Sequence, residues 1–234
     1  MAAFKRVLPE PPWLALGLVF AGFAACWWLY VPIHELLHAF GCLATGGSVT
    51  RLEIDAAYAA ALLQRVFPFV VVGSDYAGQL TGFETHGNDL TYLATDSAPF
   101  LVTVFVGVPL LRRLTRVEKP GPLPALWFGV SLPLALAPLT NLNGDYYEMG
   151  SIVVSRLARL VDPGLPLERW RSDDLTRTVN ELLFQGSFRA FDLAGLVLGG
   201  LLGVLLAFAT YWLGRILADR VLSRERRRSE TSPS

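Results

Sequence analysis

Apolar residues gather along this chain in four long stretches, each too poor in charge to be a soluble helix with one wet face. Residues 13–44 form the first and longest. A second runs from Pro99 to Leu111, with Asp96 and Ser97 set as its N-cap and first turn, a role that accounts for Asp96 without any chemistry. The third extends from Pro122 to Leu142. It holds Pro133 and Pro138, which remove backbone donors and predict a kink or break in its second half. In the fourth, Leu193 to Gly214, Gly195, Gly199 and Gly203 recur every four residues and predict one face of close helix contact. About 20 residues of helix cross the hydrocarbon core of a bilayer. The expected fold is therefore mainly α: a polytopic membrane protein with about four transmembrane helices.

Between the first two stretches the pattern changes. Val49 to Ile54 (V-T-R-L-E-I) and Pro68 to Val72 (P-F-V-V-V) are rich in β-branched residues and bounded by glycines, so a small β-hairpin or sheet is expected after the first helix. From Tyr146 to Leu160 the period is helical, with Met149, Ile152, Val153, Leu157 and Leu160 on one side, as for a helix at the membrane interface. After Arg220 the chain is polar (R-E-R-R-R-S-E-T-S-P-S at its end) and has too little apolar surface to fold alone. The organisation expected is a membrane-embedded domain over residues 1–219 and a disordered tail over 220–234.

Composition agrees with the pattern: of 234 residues, 53% are apolar, too many for a single soluble domain. Basic and acidic residues balance at 20 each, so no global field recruits nucleic acid. The only cysteines, Cys26 and Cys42, both fall in the first apolar stretch and exclude a disulfide framework or a cysteine-rich metal module. Lys5 and Arg6 precede that stretch in the manner of a signal sequence, read here as an uncleaved anchor. Lys5, Arg6, Arg112, Arg113, Arg116, Lys119 and the arginines from Arg220 onward are expected to face the cytoplasm, with the arginine-poor loop 45–93 outside, in a multi-pass protein of the cell membrane.

The chemistry is concentrated in H-E-L-L-H, residues 34 to 38. On a helix His34 and His38 project from one face, where two imidazoles can grip one metal ion. Neutral imidazoles suit zinc, and a catalytic zinc takes a third protein ligand while keeping a position for water. Glu35 is placed to take a proton from that water. Two of the chain's three histidines and a glutamate sit in an apolar segment where ionisable groups are expensive, which favours a metal site over packing.

Candidates for the third ligand are Asp145, in N-L-N-G-D-Y-Y-E-M-G, then Glu148 on the same helical face, then His86 in the polar loop E-T-H-G-N-D. His34 lies about 30 Å along the first helix and Asp145 is similarly deep from Pro122, so both reach the same membrane face. Cys42, one turn beyond His38, is read as packing.

H-E-L-L-H-A-F-G in an early membrane helix, followed by an asparagine- and proline-containing helix that ends near an aspartate, resembles the site-2 protease family of intramembrane zinc metalloproteases. The resemblance covers roughly residues 30–150. It implies zinc held by His34, His38 and Asp145, with Glu35 as catalytic base. It also implies a transmembrane or membrane-proximal peptide substrate that unwinds at the site and is held by strand addition along Val49 to Ile54. Asn141 or Asn143 would then match the family's substrate-binding asparagine. Gly144 precedes Asp145 and Tyr146 follows it, where the family has Leu-Asp-Gly. Charge also puts the site near the outer face, whereas members of the family work near the cytoplasmic one. Two rivals stand beside this reading: a non-catalytic membrane binding or regulatory protein with a protease-like fold, and a membrane zinc protease with Glu148 as third ligand. A di-iron membrane oxygenase is excluded, because three histidines cannot hold two metals of that kind.

Overall fold

The computed structural model describes residues 11–117, 121–165, 169–185 and 189–231. Lys5, Arg6, Lys119 and the last three residues of the tail lie outside them. The described residues are 73% helical and include one small sheet.

Helix α1 (Pro12–Ala44) begins with proline at its first position, where the missing N–H costs nothing, and is continuous through Pro32. Next come β1 (Ser48–Ile54), the short helix α2 (Ala60–Val66), β2 (Val70–Val72) and β3 (Gly78–Glu84). The sheet order is β2-β1-β3. β1 pairs with β2 in parallel, Leu52 opposite Val70, and with β3 antiparallel, Leu52 opposite Leu80. A sheet is thus present, but the segment beginning at Pro68 is a parallel neighbour of β1 reached through α2, and the antiparallel partner is a third strand. Leu52 and Ile54, two apart and on one face, are fully buried with Leu36 and Ala39 of α1.

Helix α3 (Asp89–Ser97) is capped by Asn88, whose side chain accepts from the Leu90 amide. A 50° bend then leads into α4 (Phe100–Leu114), which contains a π-helical stretch over Thr103–Gly107. The expected cap at Asp96 is therefore corrected: the helix starts a full two turns earlier, at a better capping residue, and Asp96 belongs to its last turn.

Helix α5 (Pro122–Thr140) is unbroken despite Pro133 and Pro138. The reason at Pro138 is a replacement donor: the Leu134 carbonyl, deprived of that residue's N–H, accepts from Thr103 Oγ1 at 2.7 Å. A turn over residues 141–144 leads to α6 (Asp145–Val161), buried over its first half and exposed at Leu157, Leu160 and Val161.

After α7 (Leu175–Asn180) comes α8 (Ala190–Thr231). α8 packs on α6 where Gly199 and Gly203 meet Gly150 and Tyr146; a Cβ on Gly150 would strike the Gly199 carbonyl. Gly195 of the same face instead admits the Trp170 ring. The backbone remains helical to Thr231, past the point where a disordered tail was expected, because arginine, leucine and glutamate are good helix formers once a long helix is nucleated.

Cys26 and Tyr30 of α1, Phe100 of α4, Leu134 of α5, Tyr146 and Met149 of α6 and Ala207 of α8 form the central core. Among the described residues three runs, Pro12–Ala44, Pro122–Val161 and Ala190–Arg224, are long and apolar enough to cross a membrane, and the bent α3–α4 pair is a fourth if taken as one span. Their outer faces are apolar too, with Trp13, Phe20 and Leu29 on α1 and Leu205, Phe208 and Trp212 on α8 all exposed.

Candidate metal centre

Helical spacing puts His34 and His38 on the face of α1 that α3, α4 and α6 cover, and both are 7% exposed. Each ring is oriented through its Nδ1. His38 Nδ1 lies 2.9 Å from the Thr95 carbonyl of α3, and His34 Nδ1 lies 3.2 Å from the hydroxyl of Tyr30, one turn back. The rings of Tyr30 and Phe100 stand edge-on to His34, with centroids at 5.5 and 5.6 Å.

A carbonyl can only accept, so the His38 proton is on Nδ1 and its Nε2 presents a lone pair. The two Nε2 atoms are 3.1 Å apart. Asp145 closes the triangle: its Oδ2 is 3.1 Å from His34 Nε2 and its Oδ1 is 3.6 Å from His38 Nε2. At these distances either a proton on His34 Nε2 or a metal cation can lie between the groups. Asp145 reaches this point as the first residue of α6, whose N-terminal amides favour a carboxylate.

His34, Glu35 and His38 offer ligand atoms within 4.8 Å of one another and could hold a metal ion. The Asp145 oxygens, at 3.1 and 3.6 Å, make the tighter set with the imidazoles. Glu35 lies beside them, against Gly78 at the start of β3; a Cβ at that glycine would run into the Glu35 side chain. All of these groups open into a cavity of about 690 Å³. Gln79 of β3 reaches across its mouth to Asp173, with Nε2 donating to Oδ2 at 2.8 Å.

The other candidates divide. Glu148 also lines the cavity but accepts from the Tyr92 hydroxyl rather than meeting an imidazole. Asn141 lines it while its amide donates to the Ala137 carbonyl at 2.9 Å, ending α5. Asn143 is occupied within the chain, donating to Asp174 Oδ1 and accepting from the Thr176 amide and hydroxyl. His86 sits exposed in the turn after β3 with a positive φ of 53° and takes no part. Cys42 is fully buried, its thiol toward the Ser48 and Glu84 carbonyls.

The sequence reading misses Tyr30, Tyr92 and Thr95, and it assigns Asp96 to a helix cap and leaves it out of the site. Asp96 is 3% exposed and lines the cavity, with Oδ2 buried and unpartnered. The signal available was an acid at the edge of an apolar segment, where a charge is costly. No family model matches this chain, and no curated protein or solved structure matches it.

Proposed function

We propose that this chain is a multi-pass membrane protein and a zinc-dependent endopeptidase that hydrolyses peptide bonds of membrane-protein substrates. The observation that carries the proposal is the convergence of His34 Nε2, His38 Nε2 and the Asp145 carboxylate at 3.1–3.6 Å beside Glu35. Zinc ligands at about 2.0–2.1 Å and tetrahedral angles lie about 3.3–3.4 Å from one another, which fits that triangle.

Zinc held by these three side chains would supply Lewis-acid polarisation of the scissile carbonyl and a more acidic water. Glu35 would take the proton of the attacking water as its oxygen bonds to the carbonyl carbon. As the C–N bond breaks, the same carboxyl returns the proton to the departing amine.

Substrate is best accommodated on β3. The resemblance pointed to Val49 to Ile54, but β1 is the central strand, paired with β3 from Ser48 to Ile54 and with β2 over Leu52–Ile54. β3 has a free edge, and Gly78, Gln79 and Leu80 line the cavity, so a peptide added there would run past Glu35.

The bilayer is supported by the outer faces of the helices. In the most apolar windows of α1 and α8 only 22% and 28% of residues are buried, leaving apolar surface that a soluble monomer rarely exposes. His34 lies about 33 Å along α1 from Pro12, which would set the site near one membrane face.

Elemental analysis of detergent-purified protein tests the reading. About one zinc per chain is expected in the wild type and in Glu148→Ala, and none in Asp145→Ala. Zinc lost from Glu148→Ala but kept in Asp145→Ala would transfer the third ligand to Glu148. No zinc in the wild type, purified without chelator, would favour a non-catalytic binding protein.

A further inference from the structure

The hydrolysis just described leaves one wall of the cavity without a task. Asp96 is 3% exposed and lines the cavity, yet its Oδ2 has no donor. Among the described residues, the charged groups that act on it are Glu148, Asp145 and Asp173, all acids. The guanidiniums lining the cavity are committed elsewhere: Arg169 to Asp192 at 2.7 Å, Arg171 to Asp89 at 3.0 Å and Arg177 to Glu181 at 2.8 Å. Carboxyl groups outnumber guanidiniums in the lining by seven to three. A buried carboxylate oxygen without a donor is destabilising, and a cationic donor arriving through the cavity removes the penalty.

We propose that Asp96, with Glu148 beside it, is a specificity site for a basic side chain, lysine or arginine, of the peptide substrate. The substrate class rests on the endopeptidase reading; the site itself rests on the unpartnered carboxylate and the charge of the cavity. Asp96 directly follows Thr95, whose carbonyl orients His38, and lies one turn from Tyr92, which binds Glu148. A side chain seated there belongs to a residue close to the bond being cut. Basic residues are rare inside membrane spans and common just beyond them, so the site would select the end of a transmembrane segment.

The test uses the full chain in detergent and peptides of about ten alanines and valines, in which one lysine, or one norleucine of similar length, is walked through every position. Two readouts are taken: cleavage by the wild type, and equilibrium binding to Glu35→Gln. Lysine should be preferred over norleucine by about tenfold or more at one position in both readouts. Asp96→Asn should bring that ratio close to one with its zinc content unchanged. A wild-type ratio near one at every position overturns the proposal whether or not Asp96→Asn folds, and so does a lysine preference that survives Asp96→Asn. Lysine-selective binding without any cleavage overturns the endopeptidase and keeps the site; cleavage indifferent to lysine does the reverse.

Discussion

Two clusters of charged and polar side chains are embedded in these apolar helices, and they are built on opposite principles. At the far end of α4, about 18 Å from Phe100, Asp219 of α8 accepts from Arg112 at 2.8 and 3.2 Å and from Arg116 at 2.7 Å, with Arg215 at 4.0 Å. Donors there face acceptors and tie α4 to α8, with only Arg112 Nε buried and unpartnered among them. At the near end, two imidazole Nε2 atoms and a carboxylate face one another, and the outer nitrogens of both rings are held by Tyr30 and Thr95. Paired charges on apolar helices are explained by helix packing. In the near cluster His34, Glu35 and His38 could hold a metal ion, with the Asp145 carboxylate beside them.

Removing the base from the near cluster tests the comparison most severely. Glu35→Gln keeps the shape of the side chain but cannot hold the proton. Cleavage should fall by about 10²–10⁴-fold, while elemental analysis still finds the zinc. Unchanged cleavage would sink the mechanism, and lost zinc would make Glu35 a ligand rather than a base.

A smaller effect is expected from the outer support of one imidazole. Tyr30→Phe removes the hydroxyl that lies 3.2 Å from His34 Nδ1 and also meets Thr103, and it keeps the ring in the core. Zinc affinity, read by chelator competition, should weaken by about 10–100-fold. An unaltered affinity would mean that packing against Phe100, not the hydroxyl, fixes the ring.

The near cluster was legible in the sequence to the extent that it depends on helical spacing. H-E-L-L-H needs only the 3.6-residue period to place both imidazoles, and Asp145 followed from equal depth in two apolar stretches. What stayed hidden depends on contacts between distant elements. Gly78 to Glu84 has few β-branched residues and becomes a strand because β1 offers it an edge. Pro138 reads as a break until Thr103, on another helix, supplies the missing donor. Asp96 before Ser97 and Pro99 reads as a cap, and only the fold shows that the helix was already capped at Asn88 and that Asp96 is among the residues lining the cavity. The distant half of the comparison was invisible for the same reason, since nothing local relates Arg112 to Asp219.

The smallest effect belongs to that distant cluster. Asp219→Asn keeps a hydrogen-bonding side chain but removes the charge that Arg112 and Arg116 share. The side chains are 31–48% exposed, so solvent screens much of the interaction. Thermal unfolding in detergent should show Tm lower by about 1–2 °C, and the difference should shrink further in high salt. Zinc content and cleavage should both equal those of the wild type, because the cluster binds only its own residues. A loss of zinc in Asp219→Asn would show that the α4–α8 tie sets the geometry of His34 and Asp145, and the two ends could no longer be treated as independent.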